Sequence, residues 1–137
     1  MRELVSHKVN GLNESIYIGV MDEPGQGNAC HKYELALLKD VEVPLEKASE
    51  GVIRSQVPIL STIIQFQNGP IKESGFNGFS NESLLAIVED RLLGFQSGQY
   101  ACRENAIALT KLQEVMMWLQ KRTLDRTRRG VEGTNQK

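Results

Sequence analysis

The feature that most constrains the fold is a change in hydrophobic period at a glycine-rich stretch, residues 68–79 (NGPIKESGFNGF). Before it, β-branched and aromatic residues occur in short runs separated by turn residues, which is typical of strands. After it, apolar residues recur at the spacing of one helix face: Leu84, Leu85, Val88, Leu92 and Phe95. The sequence therefore predicts an α+β fold, in which a small N-terminal antiparallel β-sheet is followed by a C-terminal antiparallel αα-hairpin.

The prediction divides one compact domain into four parts: a sheet region over 1–68, a glycine-rich connection over 69–79, a helical hairpin over 80–130 and a tail over 131–137. Within the sheet region, strand signals cover 2–9, 15–21 and 31–38, and residues 52–67 hold one or two more strands around Pro58. Asn10-Gly11 is a tight-turn signal, residues 22–29 (DEPGQGNA) predict a loop, and 41–51 predicts a charged connection. Ser80 or Asn81 can cap the first helix, and Gly130 ends the second.

The composition is that of a globular domain, and it argues against several function classes. Of 137 residues, 40% are apolar and 24% are charged, and we expect neither a secretory leader nor a membrane span. Two cysteines, Cys30 and Cys102, are too few for a disulfide framework, so we expect a cytoplasmic setting. A net charge of −1 disfavours binding to long DNA or RNA.

The motifs of common enzymes are missing from the sequence. It contains no GxSxG, HExxH or P-loop, and the DEPGQGNA loop lacks the Lys-Ser/Thr ending that a phosphate loop requires. His7 and His31 lie in the strand region, where a lone histidine is usually a plain polar residue. Cys102 has no evident base partner. We therefore predict that the protein is not an enzyme and holds neither a catalytic group, a metal nor a cofactor.

The end of the second helix is the most informative charged region. Residues 121–129 (KRTLDRTRR) contain five basic side chains and one acid. Arg122 and Arg126 lie on the face of the second helix that is apolar in its middle part. They are one turn apart, a spacing that suits bidentate recognition of phosphates. The alternative is that cations simply stabilise a helix C-terminus and extend into solvent.

A second candidate pair lies at the other end of the hairpin. The turn near residues 97–99 places Phe95 roughly opposite Asn105, and a ring facing a planar amide could sandwich a purine base. Alternatively, Phe95 is a core residue and Asn105 makes a local hydrogen bond. Asn105 and Arg122 are 17 residues apart, or about 25 Å along one helix. If both belong to one small-ligand site, two antiparallel chains must form it.

Three long stretches resemble a known domain: FQNGPIKE, NGFSNESLLAIV and ACRENAIALTKL. They are similar to the helical-hairpin domain shared by the first-described family of phage Thoeris anti-defence sponges and the anti-CBASS cyclic-nucleotide sponges. The stretch HKVNGLNESIYIGVMDEPGQGNACHKYEL resembles the sheet portion of the Thoeris family. The sequence has SGFNGF where that family leads us to expect a more valine-rich stretch, a difference that affects either a pocket wall or core packing.

The resemblance implies a virus-encoded, non-enzymatic protein that acts in the cytoplasm of the infected bacterial host. Such a sponge sequesters glycocyclic ADP-ribose (1''-2' or 1''-3') made by TIR proteins without cleaving it, and assembles into dimers or a hexamer. By this resemblance, Phe95 and Asn105 hold the adenine, while Arg122 and Arg126 meet the phosphates. A candidate pocket for CBASS cyclic trinucleotides lies near Arg129, Gly130 and Thr134.

Three alternatives stay open from the sequence. The chain could be an anti-CBASS sponge whose main ligands are cyclic di- or trinucleotides. It could be a small nucleic-acid-binding hairpin protein, for which steep salt dependence is expected. An enzyme that hydrolyses the signal is the weakest alternative.

Overall fold

A computed structural model describes residues 1–44 and 51–137, which form two compact units, Met1–Gln65 and Phe66–Lys137. The first unit is a four-stranded antiparallel sheet in which each strand pairs with the next along the chain. Its strands are β1 (Arg2–Leu4), β2 (Ile16–Val20), β3 (Lys32–Pro44) and β4 (Val52–Gln65). Together with the helices of the second unit, this sheet confirms the predicted α+β class.

The start of the sheet differs from the prediction. β1 ends at Leu4 rather than at residue 9, and the predicted tight turn at Asn10-Gly11 is wrong. Instead, Asn10 caps a one-turn helix, α1 (Gly11–Glu14), and its Oδ1 accepts a hydrogen bond from the Asn13 amide at 3.0 Å. Asparagine favours helix N-caps as strongly as turns, so this dipeptide did not distinguish the two.

The longest strand pair, β3–β4, extends beyond the predicted boundaries. β3 continues to Pro44, so residues 41–44 of the predicted charged connection are strand, and residues 45–50 lie outside the described residues. β4 is one strand despite Pro58, which pairs with Leu38 next to a register shift between Leu37 and Leu38. A proline is tolerated there because β4 is an edge strand and the ladder is already irregular.

The sheet unit has a very small core. Among the described residues, the buried apolar side chains are Val20 on β2 and Ala36 on β3. Large apolar side chains of β4 are instead exposed: Val52, Ile53, Val57, Ile59, Leu60 and Ile63. The unit therefore leaves an apolar strand uncovered at its edge.

The second unit contains α2 (Ile71–Ser74), α3 (Asn81–Gln96) and α4 (Arg103–Arg128), with α3 and α4 packed as a hairpin. Of the two predicted cap residues, Ser80 is the one that caps α3, because its Oγ accepts a hydrogen bond from the Ser83 amide at 3.1 Å. The Gln96 side chain closes the turn between the two helices: it donates to the Cys102 carbonyl and accepts from the Cys102 amide. Among the described residues, no helix has both the length and the apolar character needed to cross a membrane.

Gly130 ends α4 as predicted. It adopts φ +72°, a left-handed conformation in which glycine carries no Cβ penalty. The Val131 amide bonds to the Arg126 carbonyl, and the Gly130 amide bonds to the Thr127 carbonyl. These two bonds form a Schellman motif, which satisfies the last carbonyls of the helix and turns the following segment back.

The glycine-rich stretch is held by side-chain amides. Asn77 pairs with both backbone groups of Asn68 at 2.7 Å, and Gln67 donates to the carbonyls of Gly69 and Gly75. Phe76 is 90% exposed and Phe79 is 59% exposed. The phenylalanines of SGFNGF are therefore surface residues here, and the core-packing explanation for that departure is wrong.

Candidate anion-binding site

An open cavity of 460 Å³ lies beside the last turns of α4. Its helical lining residues follow i+3 and i+4 spacing, so they share one side of the helix. Among the described residues, the lining consists of Trp118, Lys121, Arg122, Asp125, Arg126, Arg129 and Lys137. The predicted cationic end of the hairpin therefore forms a concave surface.

The charges of this cavity are only partly compensated. Lys121 Nζ lies 2.6 Å from Asp125 Oδ2, and this hydrogen bond, together with nearby arginines, lowers the pKa of the Asp125 carboxyl. In the part of the chain that the structure describes, Arg122, Arg129 and Lys137 have no acidic side chain within 4.0 Å. Several uncompensated cations around one cavity favour a small polyanionic ligand.

Arg126 is placed differently from the other cations. Its side chain is only 9% exposed, and Nε lies 3.1 Å from Glu132 Oε2. Nη1 donates to the Gln136 carbonyl, while Nη2 donates to the carbonyls of Val131 and Thr134. A guanidinium has five N–H groups, so four are already engaged by residues that follow α4.

The three residues of the predicted trinucleotide pocket have separate roles in the structure. Arg129 lines the cavity, and its Nη1 donates to the Lys137 carbonyl at 2.6 Å. Gly130 belongs to the helix cap. Thr134 donates its hydroxyl to the Val131 carbonyl and accepts from Arg126 at its own carbonyl. Of the three, only Arg129 is among the cavity-lining residues.

Phe95 and Asn105 lie at the opposite end of the hairpin. Phe95, in the last turn of α3, is 42% exposed, and the Arg91 guanidinium lies over its ring at 5.6 Å from the centroid. Asn105, in the first turn of α4, is half-buried, and its backbone amide bonds to Cys102 Sγ. The Arg91 guanidinium therefore covers one face of the ring in a cation–π contact.

The structure does not bring the predicted pair Phe95 and Asn105 close to the predicted pair Arg122 and Arg126 within one protomer. α4 is continuous from Arg103 to Arg128, so Asn105 and Arg122 stay about 25 Å apart. Sequence reasoning missed Trp118 as a cavity residue, although it stands one turn before Arg122. It also missed Lys137, for which the sequence carries no signal.

The loop of the first unit is anchored by Asp22. Its carboxylate accepts hydrogen bonds from the His31 and Lys32 amides. Desolvation opposes ionisation of this carboxyl, but these bonds and the nearby His31 prevail, so the pKa of Asp22 is lowered. No group of three or more His, Cys, Asp or Glu side chains among the described residues is placed to hold a metal ion.

Comparison with known proteins gives two similarities. Residues 59–124 match the model of the Acb2/Tad1 hairpin domain, a range that includes Phe95, Asn105 and Arg122 but ends before Arg126. A 74-residue stretch, 54% of the chain, is 55% identical to Thoeris anti-defense 1 from Bacillus phage SBSphiJ7. That alignment covers 52% of the relative, so the chain spans about half the length of the curated protein it matches.

Proposed function

Residues 59–124 belong to the Acb2/Tad1 hairpin domain family, and on that premise we propose that this chain is a phage anti-defence sponge. In the cytoplasm of the infected bacterial host it sequesters glycocyclic ADP-ribose, the signal of Thoeris TIR proteins, and does not cleave it. The observation that carries the proposal is the 55% identity to a phage protein named Thoeris anti-defense 1. The cation-lined cavity on α4 supports it, since the proposed ligand carries a pyrophosphate.

Each end of the hairpin has a proposed task. Arg122 and Arg126 meet the phosphates, because both line the cavity. Arg122 has no acidic side chain within 4.0 Å among the described residues. Phe95 and Asn105 hold the adenine, with Arg91 fixing one face of the phenylalanine ring. A ligand of this size cannot span about 25 Å. The complete site therefore needs the phosphate end of one protomer and the adenine end of another.

Apolar exposure supports such self-association. Large apolar side chains of the hairpin are exposed in the single chain: Ile87, Val88, Leu93, Phe95, Ile107, Val115, Met117, Trp118 and Leu124. Soluble monomers rarely leave this much apolar surface uncovered. We therefore propose a homo-oligomer, a dimer or a hexamer built from dimers, as the form that binds the signal.

The affinity required of a sponge exceeds what any single contact supplies. To compete with the downstream effector it needs nanomolar binding, about −12 kcal/mol. Stacking of one base contributes about 1–3 kcal/mol, and a hydrogen bond to a charged group contributes about 1.5–3 kcal/mol. Enclosure of the ligand between two rigid chains contributes the remainder by reducing the ordering cost on binding.

Calorimetric titration with glycocyclic ADP-ribose tests the proposal, followed by heating of the complex and chromatography of the released small molecule. Tight binding with intact ligand recovered is the expected result. Recovery of an altered ligand would instead identify an enzyme. Absence of binding would contradict the proposed ligand.

Cyclic di- and trinucleotides are the second candidate ligands. The favouring observation is Arg129, which lines the cavity and has no acidic side chain within 4.0 Å in the described part of the chain. A cyclic trinucleotide is titrated alone and then into the complex with glycocyclic ADP-ribose, so that separate and shared sites are distinguished. Titration with a DNA or RNA oligonucleotide at two salt concentrations tests the nucleic-acid-binding alternative.

A further inference from the structure

One acidic side chain lies among the cations of the cavity. Of the described residues that line it, Asp125 is acidic and five are basic. Asp125 stands three residues after Arg122 and four before Arg129, so it lies between these two arginines on one side of the helix. A cavity that only had to attract anions would bind them more tightly without this carboxylate. Its position therefore indicates a ligand group that a carboxylate can bind.

The ion pairs of Asp125 account for its presence only weakly. Lys121 Nζ lies 2.6 Å from Oδ2, and Arg128 Nη1 lies 3.8 Å from Oδ1. Both pairs lie at the protein surface between residues one turn apart, and such pairs contribute little to stability. The hydrogen bond from Lys121 lowers the pKa of the Asp125 carboxyl, so the group is ionised at neutral pH.

One oxygen of this carboxylate is left for a ligand. Oδ2 accepts a hydrogen bond from Lys121, whereas Oδ1 accepts none from the residues that the structure describes, since Arg128 stays 3.8 Å away. An ionised carboxylate can only accept hydrogen bonds, so its ligand partner must be a donor. The ionised oxygens of a diphosphate donate nothing, but a sugar hydroxyl does, and an acidic side chain binds a ribose hydroxyl in dinucleotide sites.

The proposed signal carries such donors next to its diphosphate. Each ribose of glycocyclic ADP-ribose joins the diphosphate through its 5' carbon, and each keeps a free hydroxyl after ring closure. We infer that Asp125 Oδ1 accepts a hydrogen bond from a ribose hydroxyl, and that this contact makes the cavity select ribosylated diphosphates over bare polyanions. The assignment rests on the proposed function and adds a ribose contact to it.

Asp125→Ala tests the inference through its effect on two ligands, glycocyclic ADP-ribose and inorganic pyrophosphate. For the signal we expect the affinity to fall about tenfold, through loss of one hydrogen bond to a charged group. For pyrophosphate, which has no hydroxyl-bearing sugar, we expect the affinity to rise about threefold, because one opposing charge leaves the cavity. Asp125→Asn keeps an acceptor oxygen without the charge, so it should strengthen pyrophosphate binding and lose less affinity for the signal. Glu114→Ala removes an ion-paired acid of α4 that does not line the cavity, and it should leave both affinities unchanged.

Calorimetry measures these affinities, and the fluorescence of Trp118, the single tryptophan and a cavity residue, reports binding at this site. Changes of opposite sign for the two ligands are the expected result. If Asp125 only repelled anions, both affinities would rise in Asp125→Ala, and if it only oriented Lys121, both would fall. Either parallel change, or no change, would overturn the inference. Absence of pyrophosphate binding by the wild type would overturn it as well.

ADP-ribose separates failure of the inference from failure of the proposed function, because it carries the same diphosphate and ribose hydroxyls without the cyclic bond. Parallel changes in a protein that binds glycocyclic ADP-ribose would overturn the inference alone. If the wild type binds ADP-ribose but not the cyclic signal, the proposed ligand is wrong, and the comparison of ADP-ribose with pyrophosphate decides the role of Asp125. Binding of neither ribose ligand would overturn both.

Discussion

Arg122 is the residue on which the proposed phosphate contact depends most directly. It lines the cavity without an acidic partner among the described residues, so Arg122→Ala should not disturb an existing ion pair. We expect the dissociation constant for glycocyclic ADP-ribose to rise about 10- to 100-fold, the equivalent of one charge-assisted hydrogen bond. Calorimetry measures the change, with Arg128→Ala as the control because Arg128 is 78% exposed and faces Asp125. Equal losses in the two variants would indicate a non-specific charge effect.

The lowered pKa of Asp22 predicts that the stability of the sheet unit depends on pH. Its pKa is lowered from the ordinary value of 3.8 because the His31 and Lys32 amides stabilise the ionised carboxylate against desolvation. The stabilisation is therefore present above about pH 4 and is lost as the pH falls through the lowered pKa of the folded state. We expect Asp22→Asn to melt below the wild type at pH 6, with the difference shrinking toward pH 3.

Thermal unfolding between pH 3 and pH 7 measures this difference, and Glu23→Gln at the adjacent exposed position is the control. A gap between wild type and Asp22→Asn that stays constant over this range would contradict the ionic origin of the effect.

Single residues were predictable where their partners are near in sequence. The Ser80 hydroxyl accepts a hydrogen bond from an amide three residues away, and the Gly130 amide bonds to a carbonyl in the last turn of the helix that Gly130 ends. Helix-capping preferences therefore identified Ser80, as one of two candidates, and Gly130. Arg126 was not predictable in the same way. Its partners are mostly backbone carbonyls of a segment that follows the helix, and carbonyls have no residue type by which a sequence could identify them.

At the scale of elements, the helices were easier to predict than the strands. Apolar residues recur at helical spacing from Leu84 to Phe95 in α3 and from Ala108 to Leu119 in α4, a pattern that differs from the alternation of a strand. β3 and β4 were underestimated because Pro44 and Pro58 signal interruption, and both lie in strands here. Pairing in an edge ladder with an irregular register overrode that local signal.

Substitution by alanine at two glycines of the hairpin unit should change the free energy of unfolding in opposite directions. Gly94 lies inside α3, and a Cβ at this position would have nothing within 4 Å, so Gly94→Ala should stabilise the helix by about 0.5–1 kcal/mol. Gly130 has φ +72°, so Gly130→Ala should destabilise the protein by about 1 kcal/mol. Denaturant unfolding of both variants measures the signs. A destabilised Gly94→Ala variant would show that this position is covered in the assembled protein.

At the scale of the whole molecule, the single chain leaves much of its apolar surface uncovered. Both units expose large apolar side chains, on β4 in the first and on α3 and α4 in the second. The sequence indicates surplus apolar surface on the hairpin, because Met116, Met117 and Trp118 are adjacent and so cover more than one helix face. It could not define the partner surface. The helical period indicates which residues face the core of one chain, but it does not indicate which surface covers the apolar residues that face away from that core.

Met117 tests whether assembly and signal binding are linked. It is 56% exposed near the middle of α4, so Met117→Glu should leave the secondary structure of the single chain intact. If that surface is covered by a second copy, a buried unpaired carboxylate would disrupt the assembly. We expect sedimentation to show smaller particles, and calorimetry to show at least a tenfold loss of affinity, although the substituted position lies between the two proposed ends of the site. Met117→Leu, which conserves volume and polarity, should retain both properties. A dissociated Met117→Glu variant with wild-type affinity would contradict the two-chain site, because one protomer would then bind the signal alone.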